Sequence, residues 1–208
     1  MNFTFLPARQ NPLSIENVTR MEFRFAKSDW DFEIAKLESL RFRAAVVGHQ
    51  GSGKSTLLRG LNTRLQNMGL ATHYLFIPSV ETWQSESARF CVKTAIHDAI
   101  AASVNGKKVL LDGFERIGFR LRLSLLRKTR RSSLVITTHT PCKLPTWIQC
   151  RTDQQLMKDL LIELGFEQKE ILLAGKHAFE EHGGNVRMAL RDLYDQFANG
   201  RYNKFLQL

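Results

Sequence analysis

From about residue 41 onward the apolar positions fall into two rhythms. Phe42-Arg43-Ala44-Ala45-Val46-Val47 is a short apolar run that stops at Gly48, which suits a buried strand. Lys54 to Met68 then reads as a helix, with Leu57, Leu58, Leu61 and Leu65 near one face and Gly69 as its stop. Further strands are expected at 71–77, 107–112 and 133–138, and a weak fifth at Trp147-Ile148-Gln149-Cys150. Between the second and third strands, residues 85–104 predict a long helix with Phe90, Val92, Ile96 and Ile100 on one side. The segment 115–131 fits both periods. Helix is preferred, because two flanking parallel strands need a crossover between them.

Strands alternating with helices predict a parallel α/β sheet covered by helices on both faces. After residue 151 the strands stop, and 152–165, 174–182 and 185–198 all read as helices. Residues 1–40 lack a clear period; a turn at Asn11-Pro12 and a short helix carrying Trp30, Phe32, Ile34 and Leu37 make a lead-in segment. The expected organisation is thus a lead-in over 1–40, an α/β core over 41–151 and a small helical element over 152–208.

Composition changes this picture only at the margins. The 208-residue length favours one domain with a small appendage, and 43% apolar with 24% charged residues is ordinary globular usage. No apolar run reaches the ~18 residues of a membrane helix, so no membrane span is expected. The start, MNFTFLPARQNP, lacks a secretory apolar region. Cys91, Cys142 and Cys150 form no C-x-x-C pair, and reduced thiols suit a cytoplasmic protein. Charge is the unusual bulk property: 30 Lys and Arg against 20 Asp and Glu leave a net +10. Seven of the cations lie between Arg116 and Arg131, a stretch without an acid. Residues 116–131 are either a solvated helix face or a binding face for nucleic acid or an acidic protein.

The chemistry is carried by Gly48-His49-Gln50-Gly51-Ser52-Gly53-Lys54-Ser55, a full G-x-x-x-x-G-K-[ST] octet directly after a strand and opening a helix. The glycines let the backbone N–H groups of this loop turn inward as an anion nest, at the positive end of the following helix. Lys54 is expected to reach the β- and γ-phosphates, the Ser55 hydroxyl to ligate Mg²⁺, and Thr56 to help hold the α-phosphate. Val109-Leu110-Leu111-Asp112 is an apolar strand ending in an acid, which makes Asp112 the candidate magnesium residue, alongside a plain strand-capping role. Gly113 follows it, and Glu115 comes next as either a general base for an attacking water or an acidic first-turn residue. The strand 133–138 ends beside the loop edge, so Thr138 or His139 is a candidate contact for the γ-phosphate or the water, or else satisfies loop backbone groups.

These residues carry a resemblance. GHQGSGKST, VLLDGFE and LVITTH together resemble the P-loop NTPases with a strand added between Walker A and Walker B, the division that holds the AAA+ proteins. The resemblance implies ATP and Mg²⁺ as ligands, a sheet of order 5-1-4-3-2, and oligomers as a possibility. His182-Gly183-Gly184-Asn185-Val186-Arg187-Met188-Ala189-Leu190 is similar to the lid motif of AAA+ clamp-loader and initiator ATPases, which implies that Arg187 touches the γ-phosphate. No LSGGQ-like signature and no N-K-x-D motif occurs, and Arg151 is the nearest candidate for an arginine finger. The leading expectation is a magnesium-dependent ATPase coupling hydrolysis to a lid movement. A nucleotide-binding switch with negligible turnover and a small-substrate kinase remain open.

Overall fold

The five apolar runs become the strands of one parallel sheet, in a computed structural model that describes residues 11–25, 27–78 and 85–202. The strands are β1 Arg43–Val47, β2 Thr72–Phe76, β3 Lys108–Asp112, β4 Leu134–Thr138 and β5 Thr146–Gln149. Their spatial order is β2-β3-β4-β1-β5, the 5-1-4-3-2 order expected. All four pairings are parallel, with Val47 opposite Thr138 and Phe76 opposite Asp112. That register brings the C-terminal ends of β1, β3 and β4, and so Gly48, Asp112 and Thr138, to one edge.

The helices are α1 Ile15–Arg20, α2 Trp30–Ser39, α3 Lys54–Asn67, α4 Glu86–Val104, α5 Phe119–Lys128, α6 Gln154–Glu163, α7 Lys169–Glu181 and α8 Val186–Ala198. The segment that fitted both periods is a 3-10 turn, Phe114–Arg116, followed by α5. α7 starts earlier than the expected residue 174. Ile171, Gly175, Ala178 and Phe179 bury one continuous face, and a Cβ at Gly175 would overlap Leu161. The short α1 went unforeseen in the lead-in; Ser14 caps it by accepting from the Asn17 N–H at 3.4 Å.

The chain divides into two compact units. One, Phe23–Gly48 with Gly53–Cys150, contains the sheet. On one sheet face Ala45, Val47, Leu111 and Ile136 pack against Val92, Ile96 and Ala99 of α4 and Leu125 of α5. On the other, Ala44, Val46, Leu110 and Val135 pack against Ile34 and Leu37 of α2 and Leu57, Leu58, Leu61 and Leu65 of α3. Each buried Val, Leu or Ile among them stabilises by about 1.5–3 kcal/mol, so the two faces fix the sheet. The other unit comprises residues up to Glu22, His49–Ser52 and Arg151 onward. Its core is Met157, Leu161, Ile171, Phe179, Leu190, Leu193 and Phe197, from α6, α7 and α8. Residues 1–10 of the lead-in and 203–208 of the helical element lie outside the described residues. No helix among the described residues is long and apolar enough to cross a membrane.

Candidate nucleotide-binding site

β1 runs straight into Gly48, whose N–H donates to the Thr138 carbonyl at 3.1 Å and so ties the loop to the end of β4. α3 then opens on Gly53, which sits in the left-handed region (φ 85) and offers no side chain to the first-turn N–H groups. α1, α2, α4, α6 and α8 all begin on a capping Ser, Asp or Asn side chain instead. Ser55 and Thr56 stand half-buried in that first turn. Lys54 is buried, and its Nζ donates to the Gly48 carbonyl at 2.6 Å. Burial lowers its pKa; Glu115, then Cys150 and Asp112, oppose that shift and favour the charged ammonium.

Asp112 ends β3 and is 4% exposed. Its Oδ1 accepts from the Thr137 hydroxyl at 2.6 Å, and that hydroxyl in turn accepts from the Gly113 N–H at 2.8 Å. The Tyr74 hydroxyl donates to Oδ2 at 3.4 Å. Burial, and next the Asp112 charge, push the Tyr74 hydroxyl's pKa up, so it stays a donor. A hydroxyl from Ser55 and a carboxylate from Asp112 are the hard oxygen ligands that magnesium takes together with phosphate and water.

Gly113 has φ 91, and a Cβ there would lie 2.9 Å from the Ile77 carbonyl. The end of β2 therefore excludes any side chain at the position after Asp112. The next acid, Glu115, rides on the 3-10 turn. Its Oε1 lies 3.3 Å from His139 Nε2 and 3.9 Å from Arg116 Nε, while Oε2 is buried without a hydrogen-bond partner among the described residues. A buried carboxylate oxygen with no donor is costly unless something else, such as a water, occupies it. Thr138 is less available: its hydroxyl donates to the Thr140 carbonyl at 3.1 Å, the loop-satisfying role.

The loop tip belongs to the helical unit. The Ser52 hydroxyl and N–H both donate to the His49 carbonyl, at 2.8 and 3.3 Å. His49 Nδ1 lies 2.8 Å from the Gln50 carbonyl and Nε2 2.8 Å from the Thr152 hydroxyl, which donates to the Gly184 carbonyl at 2.8 Å. A Cβ at Gly51 would overlap the Asn185 carboxamide. Asn185 Oδ1 caps α8 by accepting from the Met188 N–H at 3.2 Å. Arg187 stands exposed in the first turn of α8, with no ion pair among the described residues; Asp192 faces His182 at 3.8 Å instead.

Among solved structures, domain III of the Thermotoga maritima replication initiation protein DnaA matches with a TM-score of 0.56 at 16% identity, over 97% of this chain and 92% of that one. The protein shares the fold of that domain, a five-stranded parallel sheet of order 5-1-4-3-2 with helices on both faces. C. elegans PCH-2 matches with a TM-score of 0.43 at 14% identity, over 74% of this chain and 62% of that one. No family model and no curated protein matches the sequence.

Sequence reasoning missed Thr137, Tyr74 and Thr152. Thr137 and Tyr74 look like ordinary strand residues until register sets them against Asp112. Thr152 had no signal beyond following Arg151.

Proposed function

We propose that this protein binds ATP with magnesium at residues 48–56 and hydrolyses it, with a movement of the C-terminal helices coupled to the nucleotide. The observation that carries this reading is the loop's own geometry: α3 opens on Gly53 with no side chain over its first-turn N–H groups, Lys54 is buried beside them with its Nζ on the Gly48 carbonyl, and buried Asp112 ends β3 at the same sheet edge. Lys54 holds the β- and γ-phosphates. Ser55 and Asp112 hold Mg²⁺, which neutralises phosphate charge when bound. Glu115, with one oxygen on His139 and the other unpartnered, orients and deprotonates the lytic water. Gly113 follows Asp112 and carries no acid, so the next carboxylate along the chain is Glu115, on the 3-10 turn.

Support for the coupling comes from the helical unit alone. His49 and Gly51 of the loop tip meet Thr152 and Asn185, so a phosphate that reorders the tip reaches the start of α8, where Arg187 is the candidate γ-phosphate contact. The test is steady-state phosphate release, with and without magnesium, for the parent and Arg187→Ala. Magnesium-dependent release is expected, with the variant losing ATP affinity or turnover while ADP affinity holds. Tight binding without release would leave a nucleotide switch. ADP formation only with an added acceptor would mean a kinase. Equal losses for ATP and ADP would remove Arg187 from the site.

A further inference from the structure

The opposite edge of the same sheet, where the strands begin, holds a second charged feature that the proposed ATP site does not use. A cavity of about 610 Å³ opens there, lined by Arg41, Arg43, Lys108, Arg130, Arg131 and Ser132 among others, and none of its lining residues is acidic. In a parallel sheet with crossover helices, helix C-termini converge on this edge: α2 ends at Ser39, α4 at Val104 and α5 at Lys128. Each carries roughly half a negative charge, so three of them offset about one and a half of the five cations. A positive excess remains.

The five cations are not alike. Arg43 is committed to the fold: its guanidinium donates to the Thr129 carbonyl at 2.5 Å and the Leu126 carbonyl at 3.1 Å, capping the end of α5. Lys108 lies over the Phe42 ring, 4.6 Å from its centroid. Arg41, Arg130 and Arg131 are exposed, and none makes an ion pair or side-chain hydrogen bond among the described residues. Arg41 also stands at a costly place. After α2 its N–H donates to the Glu38 carbonyl at 2.7 Å and that of Phe42 to the Leu37 carbonyl at 2.9 Å, the helix stop in which glycine is favoured, yet Arg41 has φ 56. Three unpaired guanidinium groups and an ammonium around one cavity repel one another, and a polyanion relieves that repulsion.

We propose that this edge binds the phosphate backbone of a nucleic acid, independently of the nucleotide at the P-loop. A chain polyanion fits better than a compact one, because Arg127 and Lys128 extend the basic run along the exposed end of α5, up to Arg130 and Arg131 at the cavity. The geometry also narrows the basic segment 116–131. Arg116 donates to the Ile77 carbonyl at 2.6 Å and Arg122 to the Ile117 carbonyl at 2.5 Å, so both are turned to the fold. No exposed aromatic lines the cavity, so the contact reads backbone charge and not base identity.

The experiment is fluorescence anisotropy of the full chain with a labelled oligothymidylate and a labelled mixed-sequence duplex, across a salt series, with inorganic tripolyphosphate as competitor. Sequence-independent binding is expected, with a log–log salt slope of roughly 0.7–0.9 per phosphate neutralised. Changing Arg41, Arg130 and Arg131 together to Glu should weaken binding by at least about tenfold and flatten the slope by roughly 2–3, three contacts' worth. The triple change to Gln serves as the milder variant, with circular dichroism as the check of folding. Failure of both oligonucleotides to bind at low salt overturns the proposal. So does binding that neither triple variant weakens, or tripolyphosphate binding that the triple variants weaken while the parent binds no nucleic acid, which would make this a small-polyphosphate pocket. A loss of stability in the variants with no polyanion binding by the parent would mean that these cations serve the helix dipoles alone.

Discussion

The two edges of the one sheet handle charge in opposite ways. At the C-terminal edge Lys54, Asp112 and Glu115 each have a counterpart among the described residues. Lys54 feels Glu115 and Asp112, Asp112 accepts hydrogen bonds from two hydroxyls, and Glu115 faces His139 and Arg116. At the N-terminal edge cations stand together without an acid among the residues lining their cavity. Charges that compensate one another hold a precise geometry, which chemistry on a phosphate requires. Charges left uncompensated hold a potential, which suits an extended, sequence-independent ligand. The difference also teaches which arginines are structural. Arg43 and Arg116 end on backbone carbonyls, whereas Arg41, Arg130 and Arg131 do not.

The comparison is broken most severely by changing the chemistry at the first edge. Glu115→Gln should lower turnover by about 10²–10⁴-fold with ATP affinity retained, measured by phosphate release and calorimetry. Hydrolysis at the parent rate would take the general base away from Glu115. Lys54→Ala should weaken ATP binding by at least about tenfold, a loss of roughly 1.5–3 kcal/mol, because it deletes a charge-assisted contact. Equal affinities with magnesium would move the nucleotide elsewhere.

At the second edge the sharper contrast lies within the arginines. Arg43→Ala should cost about 1–2 kcal/mol in denaturant unfolding, since it strips the cap from α5 and leaves part-buried carbonyls unmet. Arg41→Gly should instead stabilise by about 0.5–1 kcal/mol, because glycine takes the left-handed conformation without penalty. Destabilisation by Arg41→Gly would mean that Arg41 holds the fold together, and the division between the two arginines would fail. The smallest effect is a reactivity. Burial pushes the Cys150 thiol up to about 12, with Lys54 pulling the other way. A higher pKa means less thiolate at pH 8, so exposed Cys91 should be alkylated first and Cys150 spared in the folded protein. Equal alkylation rates by mass spectrometry would contradict that burial.

Much of the fold was legible along the chain. Five apolar runs, their alternation with helices, and the octet at 48–55 specify a parallel sheet with a phosphate loop, since a period of two or of 3.6 residues is a local property. The helix starts expected at residues 85, 152 and 185 were local too, because a cap needs only its own next turn. The family resemblance supplied the strand order. The run 115–131 resisted reading because its spacing satisfies both periods, and only the need to cross between β3 and β4 settled it.

Sequence by itself determined the glycine-rich octet at 48–55 and the acid that ends the third apolar run, because each is written in contiguous residues, and the excess of positive charge, because that is composition. Tertiary structure alone decided the rest. Thr137 and Tyr74 meet Asp112 only through strand register, and the Ile77 carbonyl just after β2 closes over Gly113, which already has φ 91. The segregation of charge was likewise invisible. Arg41, Lys108 and Arg130 are scattered along the chain, and they share a cavity because parallel strands all begin at the same edge. Spacing along a chain fixes what a residue's own element does, but the meeting of separate elements is set by packing, in which the apolar faces bury first and carry the charges to wherever the strands start and stop.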